Sequence, residues 1–379
     1  MSKILVILRS NPISPDPRVE KEANTLSKAG FEVKALGWDR TGILPKFEKR
    51  GDITISRLQI RAKYGSGLMN FPALLRWQFG LMGWLLRNKK KYDIIHACDF
   101  DTILPALVMK VFWKKVVIYD IFDFYADHLR KTPKFIKSLI RQLDLWAINH
   151  SDGVILVDDS RRAQIRGSRP KICVSVYNSP DDIPFSVSHN EQPDTNSTLI
   201  ISYIGLLQVE RGLFELISVL KNHPNWFLDL AGFGGDEDVI LSNIKDMKNV
   251  HWHGRIPYQK ALDLSHGSDV LIATYDPSIP NHRYSSPNKV FEAMMLGKPI
   301  IVAKNTNMDL IIEKANCGII VEYGVEEDLE KALALLEEDK NLRSRLGENA
   351  RQAYEKTYSW AKMEERLLGL YHQVLPHRK

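Results

Sequence analysis

Cysteine is scarce in this chain, with three in 379 residues. Cys98, Cys173 and Cys317 lie far apart with no paired spacing. That argues against a disulfide framework or a clustered zinc site and fits a reducing compartment. Long hydrophobic runs are missing as well. The most membrane-like stretch, Gly67 to Leu86, contains Asn70, Pro72, Arg76 and Gln78, and one arginine near a bilayer centre costs about 3 kcal/mol. No membrane-spanning helix is expected. The opening MSKILVILRS is followed by no small-residue cleavage site, so it reads as a buried strand rather than a signal peptide. No G-x-x-x-x-G-K-[ST] occurs, which argues against a P-loop enzyme. In Leu230–Gly235 the third glycine of a dinucleotide fingerprint falls at Glu237, so that fingerprint fails.

What is present is enough chain for two domains, 44% hydrophobic and 26% charged. The net charge of +6 conceals an asymmetry. Residues 1–185 carry 31 Lys/Arg against 19 Asp/Glu, and residues 186–379 carry 21 against 27. One half is therefore +12 and the other −6, which points to two domains with different partners. Short β-branched runs alternate with helical patterns in both halves, the signature of parallel sheets covered on both faces. Between them, residues 178–198 are rich in Asn, Ser, Asp and Pro without apolar periodicity. The expected organisation is a first domain over 1–185, with 357–379 packing back on it, a linker at 186–198 and a second domain over 199–356. Each is expected to be a doubly wound α/β domain, with ligands at the carboxyl ends of the strands.

The most informative segment is SSPNKVFEAMMLG, residues 285–297. Ser286 suits a helix N-cap, Pro287 the first helical position and Gly297 the stop. The N–H groups and dipole at such a helix start suit a diphosphate. Lys289 adds a cation, and Glu292, one turn on, offers a carboxylate for ribose hydroxyls. An ordinary capped helix with a solvated glutamate is the competing reading. A second anion site is expected at 203–212 (YIGLLQVERG), where Gly205 lets backbone approach a ligand and Arg211 can neutralise a phosphate.

Taken together and in this order, these segments resemble the retaining GT-B glycosyltransferases of family 4. The resemblance extends over PDPRVEKEANTLSKAGFEV (15–33), YDIIHACDFDTILPAL (92–107), VVIYDIFDFYAD (116–127), SYIGLLQVERGL (202–213), VHWHGRIP (250–257), SPNKVFEAMMLGKPII (286–301) and TYSWAKMEERLLGLY (357–371). It implies two Rossmann-like domains facing a central cleft, with a C-terminal helix crossing back to the first. It implies that Glu292 holds the ribose and that Ser286, Asn288 and Lys289 meet the diphosphate beside Gly205. It further implies that Arg255, Ile256 and Pro257 flank the base and that Arg211 stabilises the leaving diphosphate. Arg211, Lys289 and Asp123 are the candidate catalytic residues. Asp16, Arg18, Phe122, Asp123 and Tyr284 are candidates for contact with the donor sugar or acceptor. Three positions depart from the family pattern: Tyr284 replaces the first of two glutamates eight apart, Leu206 replaces a basic residue, and Phe122 replaces a histidine. An apolar Phe122 would suit a donor sugar lacking a 6-hydroxyl.

No side-chain base or nucleophile stands out, and no metal or cofactor is expected beyond the nucleotide sugar as donor substrate. Asp99 and Asp101 form a D-x-D, read as solvated loop carboxylates. Asp120, Asp123 and Asp127 with His128 are read as caps and surface charge. Arg18 either meets a phosphate or acceptor, or pairs with a carboxylate. Helix 68–88 carries one stripe of Leu68, Phe71, Leu75, Phe79, Met82 and Leu86, and a second set of Leu74, Trp77, Leu81, Trp84 and Leu85. Helix 133–149 joins Phe135, Leu139, Leu143 and Trp146 to Lys134, Lys137 and Arg141. Such basic amphipathic helices read as contacts with an anionic membrane. The expected function is transfer of a hexose-like sugar, with retention and without a metal, from a nucleotide-diphosphate sugar to a lipid-linked glycan. The enzyme is expected to be cytoplasmic and peripheral on the inner face of the membrane, in polysaccharide biosynthesis. The competing readings are a sugar-nucleotide epimerase of the same fold and a basic module for nucleic acid or an anionic surface, the latter prompted by a pI near 9.0.

Overall fold

A computed structural model describes residues 3–63, 70–128, 132–183 and 199–375, with the side chain of His128 excepted. The chain divides into two units, one of Met1–Tyr177 with Met363–Lys379, the other of Asn178–Lys362. The expected linker at 186–198 and the first residues of the expected helix 68–88 lie outside the described residues.

The first unit is built on an eight-stranded sheet of β1 (Ile4–Arg9), β2 (Glu32–Asp39), β3 (Phe47–Arg50), β4 (Ile53–Gln59), β5 (Ile94–Cys98), β6 (Val116–Ile121), β7 (Gly153–Leu156) and β8 (Cys173–Ser175). Its order is β3-β4-β2-β1-β5-β6-β7-β8. All neighbours are parallel except the β3–β4 hairpin. The charged four-residue β3 (FEKR) gives no apolar alternation and escapes a sequence reading. So does the helix Phe100–Trp113, whose Pro105 removes one intrahelical donor. The carbonyl that Pro105 leaves without a partner, that of Asp101, instead accepts from Trp77 Nε1 at 3.2 Å and Gln78 Nε2 at 2.7 Å. Both donors come from the helix Phe71–Arg87, which buries Ala73, Trp77, Leu81 and Leu85. The stripe of Phe71, Leu75, Phe79 and Leu86 is exposed.

The helix Trp360–Val374 returns the chain to the first unit. There Leu367, Leu370 and Tyr371 are buried, Thr25 donates to Glu364 at 2.6 Å, and Arg366 donates to the Ser175 carbonyl at 3.1 Å. The second unit has β9 (Leu199–Leu206), β10 (Trp226–Phe233), β11 (Val250–Trp252), β12 (Val270–Ala273), β13 (Ile300–Ala303) and β14 (Gly318–Val321). They form an all-parallel sheet in the order β11-β10-β9-β12-β13-β14. Both sheets are Rossmann-like, with direction reversals at β1/β5 and β9/β12, where ligands bind beyond the carboxyl ends of such strands.

Candidate active site

At the β9/β12 reversal the second unit gathers two cations that form no ion pair among the described residues. Gly205 ends the inward-facing part of β9, and a side chain there would put its Cβ 3.1 Å from Lys289 Cε and 3.2 Å from Nζ. A side chain there would push the end of the lysine aside by a few tenths of an ångström. Lys289 Nζ lies 3.3 Å from the centroid of the Tyr203 ring. It is buried with no hydrogen-bond partner among the described residues. Burial, and after it the neighbouring Arg211, hold its ammonium well below the ordinary lysine range. Arg211 lies in a 3-10 turn, Val209–Arg211, with its guanidinium 3.9 Å over the Tyr275 ring and its Nε buried without a partner among the described residues.

The helix that carries Lys289 runs from Asn288 to Leu296 and ends at Gly297, whose φ of +64° suits a residue without Cβ. Its start corrects the expectation for Ser286. Pro287 occupies the cap position, where it offers no side-chain acceptor, and Ser286 is buried one residue further out. Proline has no donor of its own and holds the extended backbone of a cap, which is why the boundary slips by one. The first-turn N–H groups of an α-helix have no partners within it, so this helix start, with Lys289 and Arg211 beside it, suits an anion. On the next turn, Glu292 accepts from the Tyr258 hydroxyl at 3.0 Å. Burial and then Glu292 raise the Tyr258 phenol, which keeps it a donor. Arg255 is exposed beyond β11 with its guanidinium 4.4 Å over the Phe233 ring; Ile256 is half-buried and Pro257 caps the helix Tyr258–Gly267. Tyr284 is half-buried at the end of the turn His282–Tyr284. The structure thus brings Gly205, Arg211, Lys289 and Glu292 to one end of one sheet. A sequence reading misses Tyr203, Tyr258 and Tyr275, although Tyr203 stands two residues before Gly205 on the same strand.

In the first unit the candidate residues also collect at a reversal, β1/β5, but there every candidate charge is paired. Arg18 is buried, donating to Asp120 Oδ1 at 3.0 Å and to the Val176 carbonyl at 2.6 Å, with Glu22 at 3.2 Å. Of its two readings, pairing with carboxylates is the one found. Asp16 accepts from Arg9 Nε at 2.9 Å, and Arg9 also pairs with Asp99. The Phe122 ring lies under both guanidinium groups, 4.0 Å from Arg9 and 4.8 Å from Arg18. Asp123 accepts from Arg161 at 2.9 Å. The D-x-D is not solvated as expected. Asp101 is buried, and Asp99 is pushed up to about 6 by burial against the opposing pull of Arg9. Both carboxylates sit where helix Phe100–Trp113 starts against the ends of β1 and β6, Asp101 buried and Asp99 half-buried.

Below them lies a buried cluster. His96 Nδ1 is 2.8 Å from the Tyr371 hydroxyl and Nε2 is 3.4 Å from Asp120. Burial and then Asp120 raise Glu22 well above the carboxylate range, while Arg18 offsets burial and holds Asp120 below its usual value. His96, Cys98 and Asp120 present metal-ligand atoms within 4.8 Å of one another. The Arg18 guanidinium already supplies the cation at Asp120, so these residues do not fit a metal ion. No described helix is long and apolar enough to cross a membrane.

Residues 186–353 match the family model described as Glycosyl transferases group 1. With two Rossmann-like parallel sheets in the chain, this match supports a glycosyltransferase of GT-B fold. The epimerase and the basic binding module are not favoured. Among particular relatives, the chain is 22% identical over 315 residues to the D-inositol 3-phosphate glycosyltransferase of Corynebacterium glutamicum, covering 79% of this chain and 71% of that protein. Among solved structures, sucrose-phosphate synthase from Thermosynechococcus elongatus superposes with a TM-score of 0.81 at 15% identity, over 98% of this chain and 99% of that one. HepE of Anabaena in complex with UDP gives 0.70 at 14% identity, over 98% and 100%.

Proposed function

We propose that the chain transfers a sugar, with retention and without a metal, from a nucleoside-diphosphate sugar to a lipid-linked glycan. The observation that carries this reading is a pair of half-buried cations, Lys289 and Arg211, each with a buried nitrogen that has no partner among the described residues, at the start of the helix Asn288–Leu296. Each is charged or readily charged, and a diphosphate supplies the missing partner. As the sugar–phosphate bond breaks, negative charge grows on the departing diphosphate. Preorganised donors at that point lower the barrier by a few kcal/mol. Glu292, oriented by Tyr258, holds the ribose hydroxyls, and Arg255, Ile256 and Pro257 line the base. Departure and acceptor attack on one face of the sugar need no side-chain nucleophile. Phe122 and Asp123 contact the transferred sugar or the acceptor, and a ring at 122 suits a sugar without a 6-hydroxyl.

The lipid linkage draws on the first unit's outer helices. Phe79 is 75% exposed and Phe135 is 73% exposed. Phe112 of the helix Phe100–Trp113 is 71% exposed and adds a third helix to the two anticipated. Lys134, Lys137 and Arg141 lie on the helix Lys134–His150, each cation adding about 1 kcal/mol near anionic lipid. On this reading the enzyme works peripherally at the inner face of a membrane.

A thermal-shift screen of nucleoside diphosphates and their sugars is expected to show stabilisation by one base's series. No shift with any of them would sink the reading. Glu292→Ala should weaken that nucleotide about tenfold or more, the loss of one charged hydrogen-bonding group, with the fold intact. Flotation on anionic vesicles should disappear on charge reversal of Lys134, Lys137 and Arg141; binding that ignores the change would remove the membrane argument.

A further inference from the structure

We infer that Asp99 is a positioning residue that holds the Phe122–Asp123 turn in place for sugar transfer. This rests on the sugar-contacting role proposed for that turn. Asp99 follows β5 with φ +65° and ψ 168°, a backbone region that glycine takes freely and aspartate rarely. It precedes the helix Phe100–Trp113 as its cap residue. The usual reason for an aspartate there, a side-chain bond to its own helix, does not apply, because no such bond is made. The carboxylate turns instead to the end of the neighbouring strand. Oδ1 accepts from the Phe122 N–H at 2.9 Å and the Asp123 N–H at 3.4 Å. The other oxygen accepts from Arg9, whose guanidinium is held by Asp16 at 2.9 Å and lies 4.0 Å over the Phe122 ring. One ion pair therefore grips both parts of Phe122, its backbone through Asp99 and its ring through Arg9. The Asp99 N–H donates to the Asp120 carbonyl at 2.9 Å, fixing the carboxylate's own base to β6.

The test compares Asp99→Asn, Asp99→Gly and Asp99→Ala in the full chain. Hydrogen exchange over residues 121–124 is followed by mass spectrometry, alongside transfer kinetics and nucleoside-diphosphate affinity. All three lose the charge that pairs with Arg9; Asn keeps an acceptor for the two N–H groups, Gly removes the acceptor and the backbone conflict, and Ala removes the acceptor while keeping the conflict. Exchange at 122–123 should quicken in Gly and Ala and stay slow in Asn. Transfer should fall about 100-fold in kcat in Gly and Ala, the cost of a displacement near 1 Å. It should be partly rescued in Asn, with nucleotide affinity unchanged throughout. Transfer by the Gly variant equal to wild type, or unchanged exchange, would overturn the inference. Should Ala fail to fold, the Asn–Gly pair decides the matter. A wild-type chain that transfers no sugar would overturn the proposed function. The exchange comparison would still decide whether Asp99 holds the turn.

Discussion

The two units treat the cations at their sheet reversals in opposite ways. In the first, Arg9, Arg18 and Arg161 each meet a carboxylate within the unit. In the second, Lys289 and Arg211 meet none among the described residues, and each has a buried nitrogen without a partner there. The sign of each half's net charge points the other way, since the first is basic and the second acidic. Net charge describes the surface, where the first unit's excess lies. What a site can bind is set by charges that the fold leaves uncompensated. Paired charges hold structure, whereas an unpaired buried cation raises the free energy of the empty protein and gives it back when an anion arrives.

That contrast can be broken by substitution. Arg18→Met should have the largest effect, a loss of about 3–5 kcal/mol in stability, because it strands Asp120 in the interior. Denaturant unfolding measures it, and a neutral result would mean the Arg18 pair is not what holds that cluster. Lys289→Met should act in reverse. Transfer should drop by about 10²–10³, the loss of one preorganised donor to a developing charge, with stability of the empty protein equal or higher. A destabilised variant with normal transfer would refute the unpaired-cation reading.

The smallest effect is in protons. Lys289 is depressed in the folded chain, so the unfolded chain binds more protons below the ordinary lysine value of about 10.4. Stability of the empty protein should therefore rise with pH through that alkaline window. A bound diphosphate lifts the lysine back, so binding should take up a fraction of a proton. Calorimetry in buffers of different ionisation heat measures this uptake. Equal uptake in wild type and Lys289→Met would assign it elsewhere.

Both sheets and half of the cluster around Lys289 are legible in the amino-acid order. Strand–helix alternation marks the sheets because buried parallel strands need continuous apolar runs, as in Ile4–Leu8. The SPNKVFE segment places Lys289 and Glu292 one turn apart because a helix repeats every 3.6 residues. Pairing across strands is not legible. Nothing near Asp99 in the chain announces Phe122, 23 positions on, and nothing near Glu292 announces Tyr258. Helix Phe100–Trp113 is hidden for a related reason. Pro105 reads as a breaker locally, and only the side chains of Trp77 and Gln78, on another helix, offset its missing donor.

The return of helix Trp360–Val374 to the first unit also bears on the order of synthesis. His96 and Tyr371 touch across 275 positions, and the whole second unit lies between them in the chain. On the ribosome the inner unit emerges entire while the outer one still lacks its final strip of core. The early-made sheet must therefore wait, with the pocket for Leu367, Leu370 and Tyr371 open to water, until the helix Trp360–Val374 has emerged. Chaperone dependence and sensitivity to truncation should thus be concentrated in the half that is translated first.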